Sequence, residues 1–224
     1  MAETSPTSEM LPSAANPSAV LGRGVERALA LRQQELVGEV NEIIEATYRV
    51  ISRTESLDPP LREILREAGL STPAFYRHFR SKDELLVGLV ELGWEILRGY
   101  LAHQMAKVDD PAGQIAAWVR GMLAQATDPE AAQRARPFTV NEPRLASLFP
   151  DEHRASRDSL VALLVPPVEQ LAPEGDPWPD ALLAYFTVKA VQDDHLVSRT
   201  RPTTGDGDRL IAFVLAALER PRST

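Results

Sequence analysis

The sequence contains no cysteine, which excludes disulfide bonds and metal sites built on thiolates. It also lacks any apolar run near the roughly 20 residues that a membrane-spanning helix needs. Its first residues show neither the basic nor the apolar region of a secretory signal. We therefore expect a cytoplasmic protein with no membrane partner, and its 224 residues allow one or two small domains.

Sequence motifs of the common catalytic sites are missing as well. We find no Gly-rich phosphate loop, no Gly-x-Ser-x-Gly and no His-Glu-x-x-His. The run Asp193-Asp194-His195 has no second histidine four residues away, so we interpret it as a polar helix surface. The sequence thus predicts a protein that is not an enzyme and that holds no metal or cofactor.

Apolar residues recur at helical spacing along most of the chain, and no long segment alternates with the period of a strand. The sequence therefore predicts an all-α fold. A tail over residues 1–24, rich in Ser, Pro and Ala, is expected to be disordered. Pro166-Pro167 should kink or split the helix that contains it. Helices are predicted at about 26–53, 61–68, 72–79, 82–108, 111–126, 152–171, 178–199 and 206–219, with short helices and turns over 127–151.

Residues 61–86 have the pattern of two short amphipathic helices joined by a tight turn. Gly69 is suited to the left-handed residue that ends the first helix. Ser71 or Thr72 can cap the second helix, which is too short to be stable alone. Phe75 and Phe79, four residues apart, are its predicted anchors to a small core. Such an arrangement can present one helix to a DNA groove.

The remaining side chains of this second helix should point outward, and their chemistry suits DNA. Hydroxyl groups of Thr72 and Tyr76 and the ring of His78 can contact phosphate oxygens. Pro73 and Ala74 are small enough to touch a thymine methyl group. Residues 81–84, Ser-Lys-Asp-Glu, form a capping box for a longer helix, and Lys82 lies at a helix N-terminus that favours a phosphate.

The string AGLSTPAFYRHFRSKDELL, residues 68–86, resembles the DNA-binding signature of the TetR (tetracycline repressor) family of bacterial regulators. The resemblance implies a three-helix helix-turn-helix domain, here residues 25–81, followed by a helical effector-binding and dimerisation domain, residues 82–224. Two positions depart from the usual pattern: Glu55 replaces a Gly before the second helix, and Thr72-Pro73 replaces Lys-Gly. The family's DNA contacts match Arg62, Thr72, Pro73, Ala74, Tyr76, His78 and Lys82, and we add the outward Arg77.

The net charge of −8 is unevenly distributed. Residues 23–82 hold ten basic and nine acidic side chains, whereas residues 83–224 hold fourteen and twenty-one. The predicted DNA-binding part is thus nearly neutral, which favours site-specific binding over a nonspecific nucleic-acid coat.

The last helix is apolar around more than half of its circumference, which indicates either central burial or an interface with a second copy. The resemblance favours a homodimer formed by the last two helices, through Leu183, Phe186, Leu210, Ile211, Val214 and Leu218. An apolar pocket for a small-molecule effector is expected among the central helices. Its predicted lining is Trp94, Trp118, Met122, Phe138 and Tyr185, with Arg136 and Asn141 orienting a polar group. The alternative for each of the first five is packing in the core.

Two functions follow from these observations. The first is a homodimeric transcriptional regulator, a repressor, that binds a pseudo-palindromic double-stranded DNA operator and is released by a small apolar effector. The second is a helical protein-interaction module that keeps the fold without binding an operator, which the neutral charge and Thr72-Pro73 would allow.

Overall fold

The computed structural model describes the backbone of residues 17–219 and the side chains of residues 32–219. In this part of the chain the fold is entirely helical, as predicted, with no strand. Within it, every helix is too short or too polar to cross a membrane. The helices are α1 (Pro17–Thr54), α2 (Leu61–Ala68), α3 (Thr72–His78), α4 (Lys82–Met105), α5 (Pro111–Thr127), α6 (Pro129–Val140), α7 (Glu142–Leu148), α8 (Pro150–Leu171), α9 (Trp178–Ser198) and α10 (Thr204–Leu218).

The first helix begins at Pro17, earlier than the predicted start near residue 26. Proline suits the first turn of a helix, and no further proline interrupts the chain before Pro59. Residues 17–24 of the predicted tail thus lie within α1, and residues 1–16 lie outside the described part. Contacts divide the chain after Glu42, and the two hydrophobic cores described next both lie beyond that residue.

A small core joins the second half of α1 to α2, α3 and the start of α4. Ile43, Ile64, Phe75 and Leu85 are fully buried in it. The hydroxyl of Thr47, which is also buried, donates to the carbonyl of Ile43 at 2.6 Å, so it carries no unpaired donor into the core. This core supports α3, which is too short to be stable on its own.

A larger core lies among the second half of α4 and helices α5, α8, α9 and α10. Trp118 and Tyr185 meet near its centre with their rings at 61° and their centroids 6.3 Å apart. Helix α8 runs through Pro166-Pro167 as one assigned helix, so the predicted split does not occur. Each proline removes only the bond from its own position to the carbonyl four residues earlier, and α8 continues past them to Leu171.

Candidate nucleic-acid interface and ligand cavity

The turn between α2 and α3 has the predicted geometry. Gly69 adopts φ +66°, the left-handed conformation that glycine enters without steric cost. The amide of Leu70 then donates to the carbonyl of Leu65 at 3.0 Å, which closes the end of α2. Ser71 caps α3 by accepting a hydrogen bond from the amide of Ala74 at 3.3 Å. Local backbone hydrogen bonds and the Ser71 cap thus set the end of α2 and the start of α3.

Phenylalanine side chains anchor α3 to the small core. Phe75 is fully buried, and Phe79 stacks on it with the ring centroids 5.4 Å apart. The ring of Tyr76 meets Phe75 edge-on, but 57% of Tyr76 remains exposed. The phenol hydroxyl can therefore reach a partner outside the protein while the ring is held in place.

Most of the predicted DNA-contact side chains lie on the surface. Arg62, Thr72, Pro73, Tyr76 and Arg77 are exposed, whereas His78 and Lys82 are partly buried. Ala74 is an exception at 4% exposure, next to the fully buried Phe75. The prediction that Ala74 touches a thymine methyl group is therefore wrong; its role in this structure is to pack α3 and to donate to the Ser71 cap.

Lys82 follows the Ser81 cap of α4. The Ser81 hydroxyl oxygen accepts from the amide of Glu84 at 3.1 Å, as in the predicted capping box. The reciprocal bond differs, since the Glu84 carboxylate accepts from the amide of Arg80 rather than from that of Ser81.

The ammonium of Lys82 forms an ion pair with Asp58, which comes just before α2. This hydrogen bond and the lysine's charge lower the pKa of Asp58 below its usual value. Arg144 of α7 lies 3.9 Å from the other carboxylate oxygen of Asp58. Both members of the Lys82–Asp58 pair are partly open to solvent, so the pair is a weak one that a phosphate group can displace.

Glu55, which replaces the usual Gly, keeps the backbone conformation that a glycine would favour, at φ +51°. Its carboxylate pairs with Arg136 of α6 and with Arg199 at the end of α9, the latter at 2.8 Å. The side-chain amide of Asn141 lies 3.4 Å from the carbonyl oxygen of Glu55. Arg136 and Asn141 therefore contact the α1–α2 turn, instead of orienting a polar group of an effector as the sequence analysis predicted.

A cavity of about 620 Å³ lies between the end of α1, the middle of α4 and helices α5 to α9, a size typical of small-molecule sites. Trp94, Met122 and Phe138 line it, where the sequence analysis expected them. Trp118 and Tyr185 do not line it, because both are buried in the larger core where α5 meets α9. For these two residues the structure shows the alternative, packing in the core. The other large apolar and aromatic lining residues are Ile44, Tyr48, Leu89, Val90, Leu92, Ile96, Leu97, Tyr100 and Leu145.

Charged and polar side chains from α7, α8 and α9 form one wall of this cavity. The ammonium of Lys189 lies 2.5 Å from the Glu142 carboxylate and 2.5–2.7 Å from both oxygens of Asp193. The other Glu142 oxygen lies 3.1 Å from Nε2 of His153, whose ring meets Trp94 edge-on. Burial raises the pKa of Asp193 despite the opposing effect of Lys189. Asp193 is thus partly buried beside Lys189, whereas Asp194 of the same run is exposed, as the sequence analysis predicted.

The sequence analysis missed both the Glu55 contacts and this polar wall. Glu142 and Lys189 are 47 residues apart, and Glu55 and Arg199 are 144 apart. No spacing rule of a single helix relates positions at such separations. The replacement of Gly by Glu55 was visible in the sequence, but nothing there indicated which groups its carboxylate would contact.

Helices α9 and α10 bury one face and expose another. Leu210, Ile211, Val214 and Leu218 are buried in the larger core of the single chain, so they are not available to a second copy and this part of the dimer prediction was wrong. These four residues are spaced so that they share one face of α10, and that face packs against α5 and α9. Leu183 and Phe186 are exposed, as that prediction requires, and further large apolar side chains exposed on these helices are Val197 and Phe213.

The part of the chain that contains α2 and α3 is similar to a known protein family. Residues 43–89 match the model of the family described as "Bacterial regulatory proteins, tetR family". This span contains the end of α1, the whole of α2 and α3, and the start of α4. The match therefore falls on the small core and on the helices that it supports.

Solved structures share the fold over most of the chain. A transcriptional regulator from Rhodococcus sp. RHA1 has a TM-score of 0.65 at 20% identity, covering 80% of this chain and 95% of the other. A TetR family transcription regulator from Marinobacter aquaeolei has a TM-score of 0.62 at 18% identity, covering 83% and 97%. The fatty acid degradation regulator FadR from Bacillus halodurans has a TM-score of 0.64 at 17% identity, covering 80% and 94%.

The family match supports α2 and α3 as a DNA-binding helix-turn-helix, and the solved structures share the all-α fold around it. On this evidence, residues 43–89 form a DNA-binding domain of the TetR family of bacterial regulatory proteins, in a chain that shares the fold of solved TetR-family regulators.

Proposed function

We propose that this protein is a cytoplasmic, homodimeric repressor that binds a pseudo-palindromic operator and releases it when a small molecule enters the cavity. The observation that carries the proposal is the surface of α3, where Tyr76 projects from a helix held by a buried Phe75. Residues 25–81 would bind DNA, and residues 82–224 would bind the effector and form the dimer. Family membership supports each of these roles.

Operator binding would use α3 in the major groove. The hydroxyls of Thr72 and Tyr76 and the guanidinium of Arg77 face outward with an exposed Pro73 between them, so polar groups can reach phosphates on either side of the inserted helix. Lys82 would exchange its Asp58 partner for a phosphate at the N-terminus of α4. Two copies of α3 must lie about 34–36 Å apart to enter successive major grooves, which requires a dimer.

Dimerisation would use the exposed apolar side chains of α9 and α10. Leu183, Phe186, Val197 and Phe213 are between 48% and 65% exposed, an unusual density of large apolar groups on two neighbouring helices. A two-fold axis between such helices pairs the same surface on both subunits. The interface would therefore lie on the face opposite to the one that the sequence analysis favoured on α10.

Release would follow from movement of α6. Ala135 and Phe138 line the cavity, while Arg136 between them holds Glu55 in the α1–α2 turn. A ligand that fits best when α6 is displaced would also displace this turn and the DNA-binding helices beyond it. The resulting pair of recognition helices would be spaced differently, which shifts the population away from the DNA-bound form.

A mobility-shift titration on a fragment of the protein's own promoter region tests operator binding. Tyr76→Phe and Lys82→Ala should each weaken binding while leaving helicity and dimerisation unchanged, since each removes a phosphate contact. For Lys82→Ala, the slope of log affinity against log salt should fall by roughly two, because a dimer presents two lysines and each contact contributes about 0.9. Lys107→Ala, beyond the far end of α4, is the matched control and should not change binding.

The proposal fails if both variants bind the fragment as tightly as the unaltered protein. The alternative, a helical protein-interaction module, is favoured by one observation: Asp58 already neutralises Lys82 on a nearly neutral domain. Absence of any shift at moderate salt, together with a protein that co-purifies with the chain, would establish that alternative instead.

A further inference from the structure

The polar wall of the cavity has hydrogen-bond acceptors to spare and no spare donor on its lysine. Three protons are available on Lys189, and its contacts with Glu142 and both oxygens of Asp193 account for them. Nε2 of His153 donates to the Glu142 carboxylate, so Nδ1 is the ring nitrogen left for a ligand. The lysine is therefore not available to a ligand unless an existing ion pair breaks.

Gln192 adds a further acceptor, one turn along α9 from Lys189. This residue lines the cavity and is only 5% exposed. Its side-chain carbonyl oxygen, Oε1, is buried without a hydrogen-bond partner among the described residues. An unsatisfied buried carbonyl is costly and is rare in folded proteins, so a ligand that donates a hydrogen bond at this point would relieve the cost.

The charges around the cavity also favour a ligand that donates hydrogen bonds, and in particular a cation. Among the described lining residues, Glu45, Asp128 and Glu142 are acidic, whereas Arg134 and Lys189 are basic. Each of the two basic residues is held by two carboxylates: Arg134 contacts Glu45 and Glu130, and Lys189 contacts Glu142 and Asp193. A positive charge that enters the cavity gains attraction from these carboxylates, and a negative charge is repelled.

We propose that the cavity binds arylalkyl amines, in which a protonated ammonium group is attached through an alkyl carbon to an apolar aromatic ring, with the ammonium against Glu142, His153 and Gln192. This inference rests on the proposed function, because it names the chemical class of the effector. The rest of the ligand would lie among Trp94, Phe138 and Tyr48, where aromatic rings can stack and the faces of the rings also favour a cation.

Isothermal titration calorimetry with three probes of one skeleton tests the inference without DNA. The probes are naphthylmethylammonium, naphthylmethanol and naphthoate, which differ in the charge and donor capacity of one group. The ammonium should bind at least about tenfold more tightly than the carboxylate, which corresponds to ~1.4 kcal/mol, and the alcohol should fall between them. Tightest binding by the carboxylate would overturn the inference, as would failure of all three probes to bind.

Two substitutions locate the binding group. Glu142→Gln keeps the shape of the side chain and removes one charge, so the preference for ammonium over carboxylate should fall several-fold. Gln192→Leu should weaken the ammonium and the alcohol alike, because both donate to the amide oxygen. Glu169→Gln, on the exposed side of α8, is the matched control and should leave the preference unchanged. An unchanged preference in both cavity variants, each shown to be folded by its circular dichroism, would overturn the inference.

Adding the ammonium probe to the mobility-shift titration separates this inference from the proposed function. Binding in the calorimeter without release of DNA would contradict the effector-release part of the proposed function and support the cavity assignment. Release of DNA by the carboxylate, but not by the ammonium, would support a ligand-responsive regulator and overturn the ligand class proposed here.

Discussion

Glu55 offers a test in which backbone strain and side-chain contacts can be separated. At φ +51° a non-glycine residue in the left-handed helical region costs about 1–2 kcal/mol. Replacing Glu55 by Gly removes that cost, but it also makes the unfolded chain more flexible, which offsets about 0.4–1 kcal/mol of the gain. Replacing it by Gln keeps the strained backbone and removes only the negative charge.

The ion pairs lost in either variant are worth little in free energy of unfolding. Arg199 and Glu55 are well exposed, and exposed pairs contribute roughly 0–1 kcal/mol. Arg136 is less exposed, at 18% of its side chain, but its Nε–H also donates to the carbonyl of Leu196 at 2.9 Å and would keep that bond. Because the two variants lose the same pairs, the difference between them isolates the strain.

We therefore expect Glu55→Gly to be more stable than Glu55→Gln by about 1 kcal/mol, which follows from the strain less the unfolded-state term. In a thermal melt of a chain of this size that is a difference of roughly 2–4 °C in Tm. Urea unfolding followed by circular dichroism gives the same comparison independently. Equal stability of the two variants, or greater stability of Glu55→Gln, would refute the claim that the turn stores strain.

The same variants test the coupling proposed for release. Both should bind DNA nearly as well as the unaltered protein, yet the ratio of DNA affinities with and without the ammonium probe should move toward one, since Arg136 no longer holds the α1–α2 turn. That ratio measures the coupling free energy between the two sites. An unchanged ratio in both variants would show that the signal does not pass through Glu55.

Two further predictions concern the proposed dimer interface and the Lys82–Asp58 ion pair. Phe213→Glu should convert the dimer to a folded monomer, as measured by sedimentation. Val214→Glu should unfold the chain, as measured by circular dichroism, because Val214 is buried in the larger core. Dimers that persist in Phe213→Glu would contradict the interface. Asp58→Asn should tighten DNA binding several-fold by freeing Lys82, in a mobility-shift titration near neutral pH. Because the pKa of Asp58 is lowered, its pairing with Lys82 is complete above the ordinary carboxyl pKa and is lost as the pH falls through the lowered value. The tighter binding of Asp58→Asn should therefore disappear below that lowered pKa.

Local signals in the sequence were sufficient for the helix-turn-helix. Gly69, the Ser71 cap and the four-residue spacing of Phe75 and Phe79 act through neighbouring backbone groups or through one helix face, so a short window of sequence contains everything that decides them. Ala74 is the exception within this motif. On a helix of seven residues the boundary between the buried and exposed faces depends on how the helix lies against α1 and α4, which the window does not contain.

The differences for α10 and for the cavity lining also arise because they depend on how several helices pack together. A helix that is apolar around most of its circumference, such as α10, has two faces that composition cannot rank, and the structure assigns Val214 to the core and Phe213 to the surface. Trp118 and Tyr185 are aromatic, as pocket residues often are, but they face each other across α5 and α9 instead of the cavity. Which apolar residue fills a core and which lines a cavity is decided by the packing of several helices together.

By itself, the sequence determined the all-α class, the short recognition helix with its anchors and caps, and the resemblance that named the family, because these depend on periodicity and on contacts between near neighbours. Only the tertiary structure decided the Glu55 contacts with Arg136 and Arg199, the polar wall around Lys189 and the exposed face of α9 and α10. Those features join residues that are tens to more than a hundred positions apart. Their geometry exists only once the helices have packed, since no local rule of the chain relates such distant side chains.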